Sequence, residues 1–135
     1  MTATAQVSRV IPAKADEVWE TLTSKKGMKA YMMGADVETD WKVGSPITMR
    51  GEFDGKRFED RGEVRSFEPG RSLSYTHVSG SAPDQEHLVT FEVAPKDGGT
   101  EVTVVQDGGD EAHRGEYEKT WGMMLEGLEK AVRAN

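Results

Sequence analysis

Residues 117–135, YEKTWGMMLEGLEKAVRAN, carry the reading that decides the fold. Tyr117, Trp121, Met124, Leu125, Leu128, Ala131 and Val132 recur at helical spacing, while Glu118, Lys119, Glu126, Glu129, Lys130 and Arg133 fill the other faces. A stripe of that width, headed by two aromatics, predicts one long amphipathic helix with a face to bury. The middle of the chain reads almost wholly as strand, so the helix is expected to lie lengthwise on a sheet. A hollow is expected where the two surfaces diverge.

Upstream of the helix, Val37 opens a short strand and Gly44-Ser45-Pro46 turns the chain. Ile47, Met49 and Phe53 alternate with Thr48, Arg50 and Glu52, the period of a half-buried strand. Asp54-Gly55 is a hairpin signal, Phe58 to Phe67 returns, and Pro69-Gly70 turns again. Leu73, Tyr75 and His77 share one face of the next strand, and Ser79 to Asp84 reads as a polar loop. Val89, Phe91 and Val93 alternate, Asp97-Gly98-Gly99 makes a tight turn, and Thr100 to Gln106 reads as the last strand. Asp107 to Gly115 is then a polar connection into the helix. At the other end, residues 2–11 read as a strand ended by Pro12. Two short helices follow, Ala15 to Leu22 and Lys25 to Met33, parted at Ser24. A long run of antiparallel hairpins without alternating βαβ units predicts an α+β class, in one domain over 1–135.

Composition narrows the function. The chain has no cysteine, which excludes disulfides, thiol nucleophiles and thiolate metal sites. A formal net charge of −7 argues against nucleic acid as a partner, because affinity for the phosphate backbone comes from clustered Lys and Arg. No stretch approaches the ~20 apolar residues of a membrane span. Met1 to Ile11 holds no basic region followed by an apolar run, so neither a membrane span nor a secretory signal is expected, and the location is expected to be cytoplasmic.

Three segments carry a family resemblance: IPAKADEVWETLTS at 11–24, GEVRSFEPGRSLSYTH at 62–77, and GGTEVTVVQDG at 98–108 followed by WGMMLEGLEKAV at 121–132. Their order and spacing resemble the START-like or SRPBCC (helix-grip) superfamily. Within it they are similar to the small bacterial form of the family named after the activator of heat-shock-protein-90 ATPase. The resemblance spans nearly the whole chain. It implies a curved antiparallel sheet of about six or seven strands gripping the C-terminal helix, with a cavity between them that binds hydrophobic molecules and in a minority of members hosts catalysis. Two departures stand out: Tyr31 where the family often has tryptophan, and Val43-Gly44-Ser45-Pro46 where it often has two glycines. Both are expected to alter the mouth of a pocket. The eukaryotic co-chaperone activity uses a further N-terminal domain and is not carried over.

The candidate ligand-binding residues are Met32, Met49, Phe53, Phe58, Tyr75, His77, Phe91, Tyr117, Trp121 and Met124. Flexible thioethers suit adaptable apolar surfaces, although they also fill ordinary cores; Met32 and Met33 are candidates for the pocket mouth, and Met123 falls on the polar side of the helix. His77 reads either as a hydrogen-bonded inward residue or as a polar contact for a ligand. Glu59, Asp60 and Glu63, interleaved with Arg57, Arg61 and Arg65, read as a solvated strand face. His77, His87 and His113 lack metal-ligand spacing and no phosphate loop or nucleophile motif occurs, so no metal, cofactor or catalytic residue is assigned. The reading is a binding module for a small hydrophobic or aromatic molecule. The alternative is an enzyme of polyketide cyclase or hydrolase type working in the same cavity, and an interaction protein whose pocket is merely packed is a third reading. No protein partner is assigned.

Overall fold

The computed structural model describes residues 2–32, 34–53, 55–80 and 82–134, with backbone only at residues 2, 3, 53, 82–84 and 110. The chain runs β1 (Thr2–Ile11), α1 (Ala15–Thr23), α2 (Lys25–Tyr31), β2 (Asp36–Glu38), β3 (Pro46–Phe53), β4 (Lys56–Glu68), β5 (Ser72–Ser79), β6 (Ala82–Lys96) and β7 (Gly99–Asp110), then a single 3₁₀ turn (Glu111–His113) and α3 (Arg114–Arg133). The seven strands form one curved antiparallel sheet in the order β1-β7-β6-β5-β4-β3-β2, so the first strand closes against the last. This is the α+β helix-grip architecture. No described helix is long and apolar enough to cross a membrane.

Local chemistry accounts for the short elements. Ser24 parts α1 from α2 because its hydroxyl accepts the Gly27 amide at 3.0 Å, an N-cap that starts a new helix in place of continuing the old one. The β6–β7 hairpin turns at Asp97 and Gly98, both with positive φ (52° and 80°), as a two-residue turn matched to strand twist requires. Of the expected Asp54-Gly55 turn, Asp54 lies outside the described residues, as does Met33.

Tertiary pairing overrides the sequence reading in two places. The segment 107–110, expected as a connection, continues β7, because the backbone of β1 pairs along it as far as Thr2↔Asp110. The expected loop over 79–84 shrinks likewise: β6 begins at Ala82, which pairs with Ser79. Polar side chains do not prevent a strand when the neighbouring backbone supplies the hydrogen bonds.

Trp121, Leu125, Leu128 and Val132 are the buried residues of α3, while Met123 is exposed. The helix is held to the edge strand by Arg9 Nε on Glu129 Oε1 at 2.9 Å, with Arg133 on the other carboxylate oxygen at 3.3 Å. One half of the sheet's inner face is fully packed. Phe91, with 1% exposure, is capped edge-on by Tyr31 and Trp121 at ring separations of 6.4 and 5.6 Å. Trp41 stacks on Phe67 at 5.5 Å, and Trp19 closes over Phe67 at 5.6 Å. The other half, under the first turns of α3, is hollow.

Candidate functional site

Strand alternation points Met49 (β3), Phe58 and Asp60 (β4), Tyr75 and His77 (β5), His87 and Val89 (β6) and Gln106 (β7) to the inner face. With Met32 and Ala35 on one side and Tyr117, Thr120, Trp121 and Met124 of α3 above, they bound a cavity of about 660 Å³. Lys56, Arg57, Ser79 and Gln85 complete its rim. That volume lies within the range of small-molecule sites.

Two glycines shape the walls. A Cβ at Gly109 would lie 2.6 Å from Tyr117 Cε2, so the bare backbone of β7 lets the Tyr117 ring rest directly on it. A Cβ at Gly51 would lie 2.8 Å from Phe58 Cζ, so Phe58 folds sideways over β3 and does not fill the hollow.

The lining divides by polarity. Met32, Ala35, Met49, Phe58, Val89 and Met124 make an apolar wall. Among them lies a polar group. His77 Nε2 and Asp60 Oδ2 are 2.9 Å apart, and the Gly80 amide donates to Asp60 Oδ1 at 3.1 Å. Burial works to raise the Asp60 pKa, but the hydrogen bonds from His77 and Gly80 and the His77 charge outweigh it and hold the carboxyl below its usual value. His87 stacks on His77 at 6.3 Å and meets the Tyr117 ring at 5.8 Å. Burial and, second, the neighbouring His77 push the His87 pKa down, so His87 is neutral at pH 7. Trp121 Nε1 donates to Gln106 Oε1 at 2.7 Å. Burial raises the Tyr75 pKa, keeping the phenol protonated. Among the described residues no group of three or more His, Asp or Glu is arranged to hold a metal ion.

Eight of the ten candidates come together here: Met32, Met49, Phe58, Tyr75, His77, Tyr117, Trp121 and Met124 all line the cavity. Phe91 does not; it is sealed beneath Tyr31 and Trp121. The side chain of Phe53 lies outside the described residues. Asp60 is a correction: it faces the cavity, while Glu59 and Arg50 form an exposed ion pair on the outside. Neither departure reaches the mouth. Tyr31 is a core residue whose hydroxyl donates to the Leu22 carbonyl at 2.8 Å, and the turn at 43–46 lines none of the cavity. Sequence reading missed His87 and Gln106. Both were within reach of it, since His87 is in phase with Val89 and Phe91, and Gln106 with Val102 and Val104, the inner faces of their strands.

Comparison with known proteins places the chain. No match is found among curated proteins. The solution structure of ChR145 from Cytophaga hutchinsonii is similar at 37% identity and a TM-score of 0.80, over 98% of this chain and 94% of that one. The crystal structure of MLL2253 from Mesorhizobium loti shares the fold at 24% identity and a TM-score of 0.82, over 98% of each chain. The Aha1 dimer from Colwellia psychrerythraea shares it at 19% identity and a TM-score of 0.76, over 96% of each chain. The family described as "Activator of Hsp90 ATPase homolog 1-like protein" matches residues 12–133, and this chain belongs to it.

Proposed function

We propose that this protein, taken as one domain over 1–135, binds a small hydrophobic or aromatic molecule between its sheet and α3. The observation that supports the reading is the cavity of about 660 Å³, lined mostly by apolar side chains with a compact polar group among them. An apolar chamber with a few convergent polar atoms is the general form of a small-molecule site. The methionines at 32, 49 and 124 adapt to ligand shape through thioether rotamers. The test is titration with the neutral apolar fluorophore N-phenyl-naphthylamine, using Met124→Trp as the blocked variant. Saturable enhancement in the wild type that is lost in the variant is the expected result. Equal binding by both proteins places the fluorophore elsewhere and removes the assigned site.

One observation favours catalysis as a second reading. The Asp60 carboxylate beside the His77 imidazole is the orienting contact that a general base of cyclase or hydrolase chemistry requires. On this reading, saturable turnover of an activated aryl ester falls at least tenfold in Asp60→Asn while N-phenyl-naphthylamine binding is retained. Turnover unchanged by Asp60→Asn removes it.

A further inference from the structure

Resting on the cavity as a ligand site, we infer that His87 and Gln106 form a pair of neutral hydrogen-bond donors selecting an uncharged carbonyl oxygen on an apolar ring system. His87 is 9% exposed, and its Nδ1 is sealed with no hydrogen-bond partner among the described residues. A proton on Nδ1 would be a buried N–H without an acceptor, which proteins avoid more strictly than an unused lone pair. The proton therefore resides on Nε2, the ring nitrogen that is not sealed, and makes it a donor. The depressed pKa of His87 agrees, since charging the ring would put a proton on the sealed nitrogen as well.

Gln106 reaches the same conclusion by another route. The indole N–H of Trp121 can only donate, so the Gln106 atom 2.7 Å from it is the carboxamide oxygen. That orientation leaves the NH₂ as a donor with no partner among the described residues. Gln106 pairs across the sheet with Val89, two residues along β6 from His87. The two side chains are thus diagonal neighbours on the inner face, about 7 Å apart at their bases, and both line the cavity. A carbonyl oxygen has two lone pairs and accepts from both. A carboxylate is disfavoured there, because the partly buried Asp60 carboxylate already lies within the same polar group.

The experiment compares three ligands of one skeleton, tetralin, α-tetralone and tetralin carboxylate, by displacement of N-phenyl-naphthylamine. The expected result is α-tetralone binding about tenfold tighter than tetralin, the scale of one or two well-made neutral hydrogen bonds, with the carboxylate weakest. His87→Phe removes one donor and keeps a ring. Gln106→Met removes the other and keeps the length of the side chain without adding a charge. Each is expected to bring the ketone-to-hydrocarbon ratio down by threefold or more, with tetralin affinity held within about twofold. Equal affinity for ketone and hydrocarbon in the wild type, or a ratio unchanged in both variants, overturns the donor pair and leaves the cavity reading standing. Tightest binding by the carboxylate also overturns it and points to Lys56 and Arg57 at the rim. No displacement by any of the three overturns the cavity reading together with this one.

Discussion

The two halves of the sheet's inner face are built from the same strands and lie under the same helix, yet one is solid and the other hollow. Where α1, α2 and the second half of α3 cover the sheet, Leu73, Phe91, Val102 and Val104 are buried in one core cluster with Val18, Leu22, Leu125 and Leu128. Where only the first turns of α3 cover the sheet, Tyr117 lies flat on β7, Phe58 is turned over β3, and the surfaces stay apart. The composition changes with the packing. The solid half presents aliphatic and aromatic side chains, whereas the hollow half presents Asp60, His77, His87 and Gln106. Polar groups at the base of a core are costly unless they are paired or meet a partner from outside. Close packing and open space are thus assigned to different stretches of the same strands.

The sharpest way to break this division is truncation. Phe91→Ala in the solid half is expected to lower the unfolding free energy by about 3–5 kcal/mol in urea, the cost of a large core cavity. Met124→Ala, at the wall of the hollow, is expected to cost about 1 kcal/mol or less, because its side chain borders open space. Comparable losses at the two sites would show that the hollow is packed as the core is.

Two tyrosines sharpen the contrast at a smaller scale. Tyr31→Phe deletes the buried bond to the Leu22 carbonyl and is expected to cost about 1–2 kcal/mol.

A further expectation concerns acid. The folded-state pKa of His87 is depressed, so the unfolded chain binds more protons at this site. Its contribution is full above the ordinary histidine value of about 6.5 and falls as pH drops below that value toward the lowered folded one. Asp60 behaves as a depressed carboxylate, contributing fully above about 4 and losing that contribution as pH falls through its folded value. Melting temperature against pH should therefore decline in two stages, and His87→Phe should remove the upper one. An unchanged slope just below neutrality in that variant would dissociate the upper stage from His87.

The smallest effect is expected at Tyr75, whose side chain lines the cavity. Tyr75→Phe should change stability by less than about 0.5 kcal/mol, measured beside Tyr31→Phe. A loss equal to that at Tyr31 would mean that the hydroxyl is engaged in the folded protein.

Local pattern made much of this molecule legible. The face that α3 buries follows from the spacing of Trp121, Leu125, Leu128 and Val132, and the break at Ser24 from a side chain capping the next helix. Most strand ends follow from turn residues such as Asp97-Gly98, because the φ values a turn demands are a property of a few adjacent residues. Inner-face aromatics and methionines were equally readable, since alternation assigns a face without reference to any other strand. What the pattern left open depended on contacts between residues far apart in the chain. The extension of β7 to Asp110 needed β1, more than a hundred residues away, as its backbone partner. Asp60 became part of a site through His77 on the next strand, and Gln106 took one orientation because of the Trp121 indole. The split between Phe91, packed under two rings, and Val89, which lines the hollow, is invisible in their shared alternation, because only the placement of Tyr31 and Trp121 decides which of two equivalent positions is covered. Sequence determines which side chains face inward through short-range geometry. Whether an inward side chain meets another or meets empty space depends on distances between elements, and those exist only once the sheet has curved around its helix.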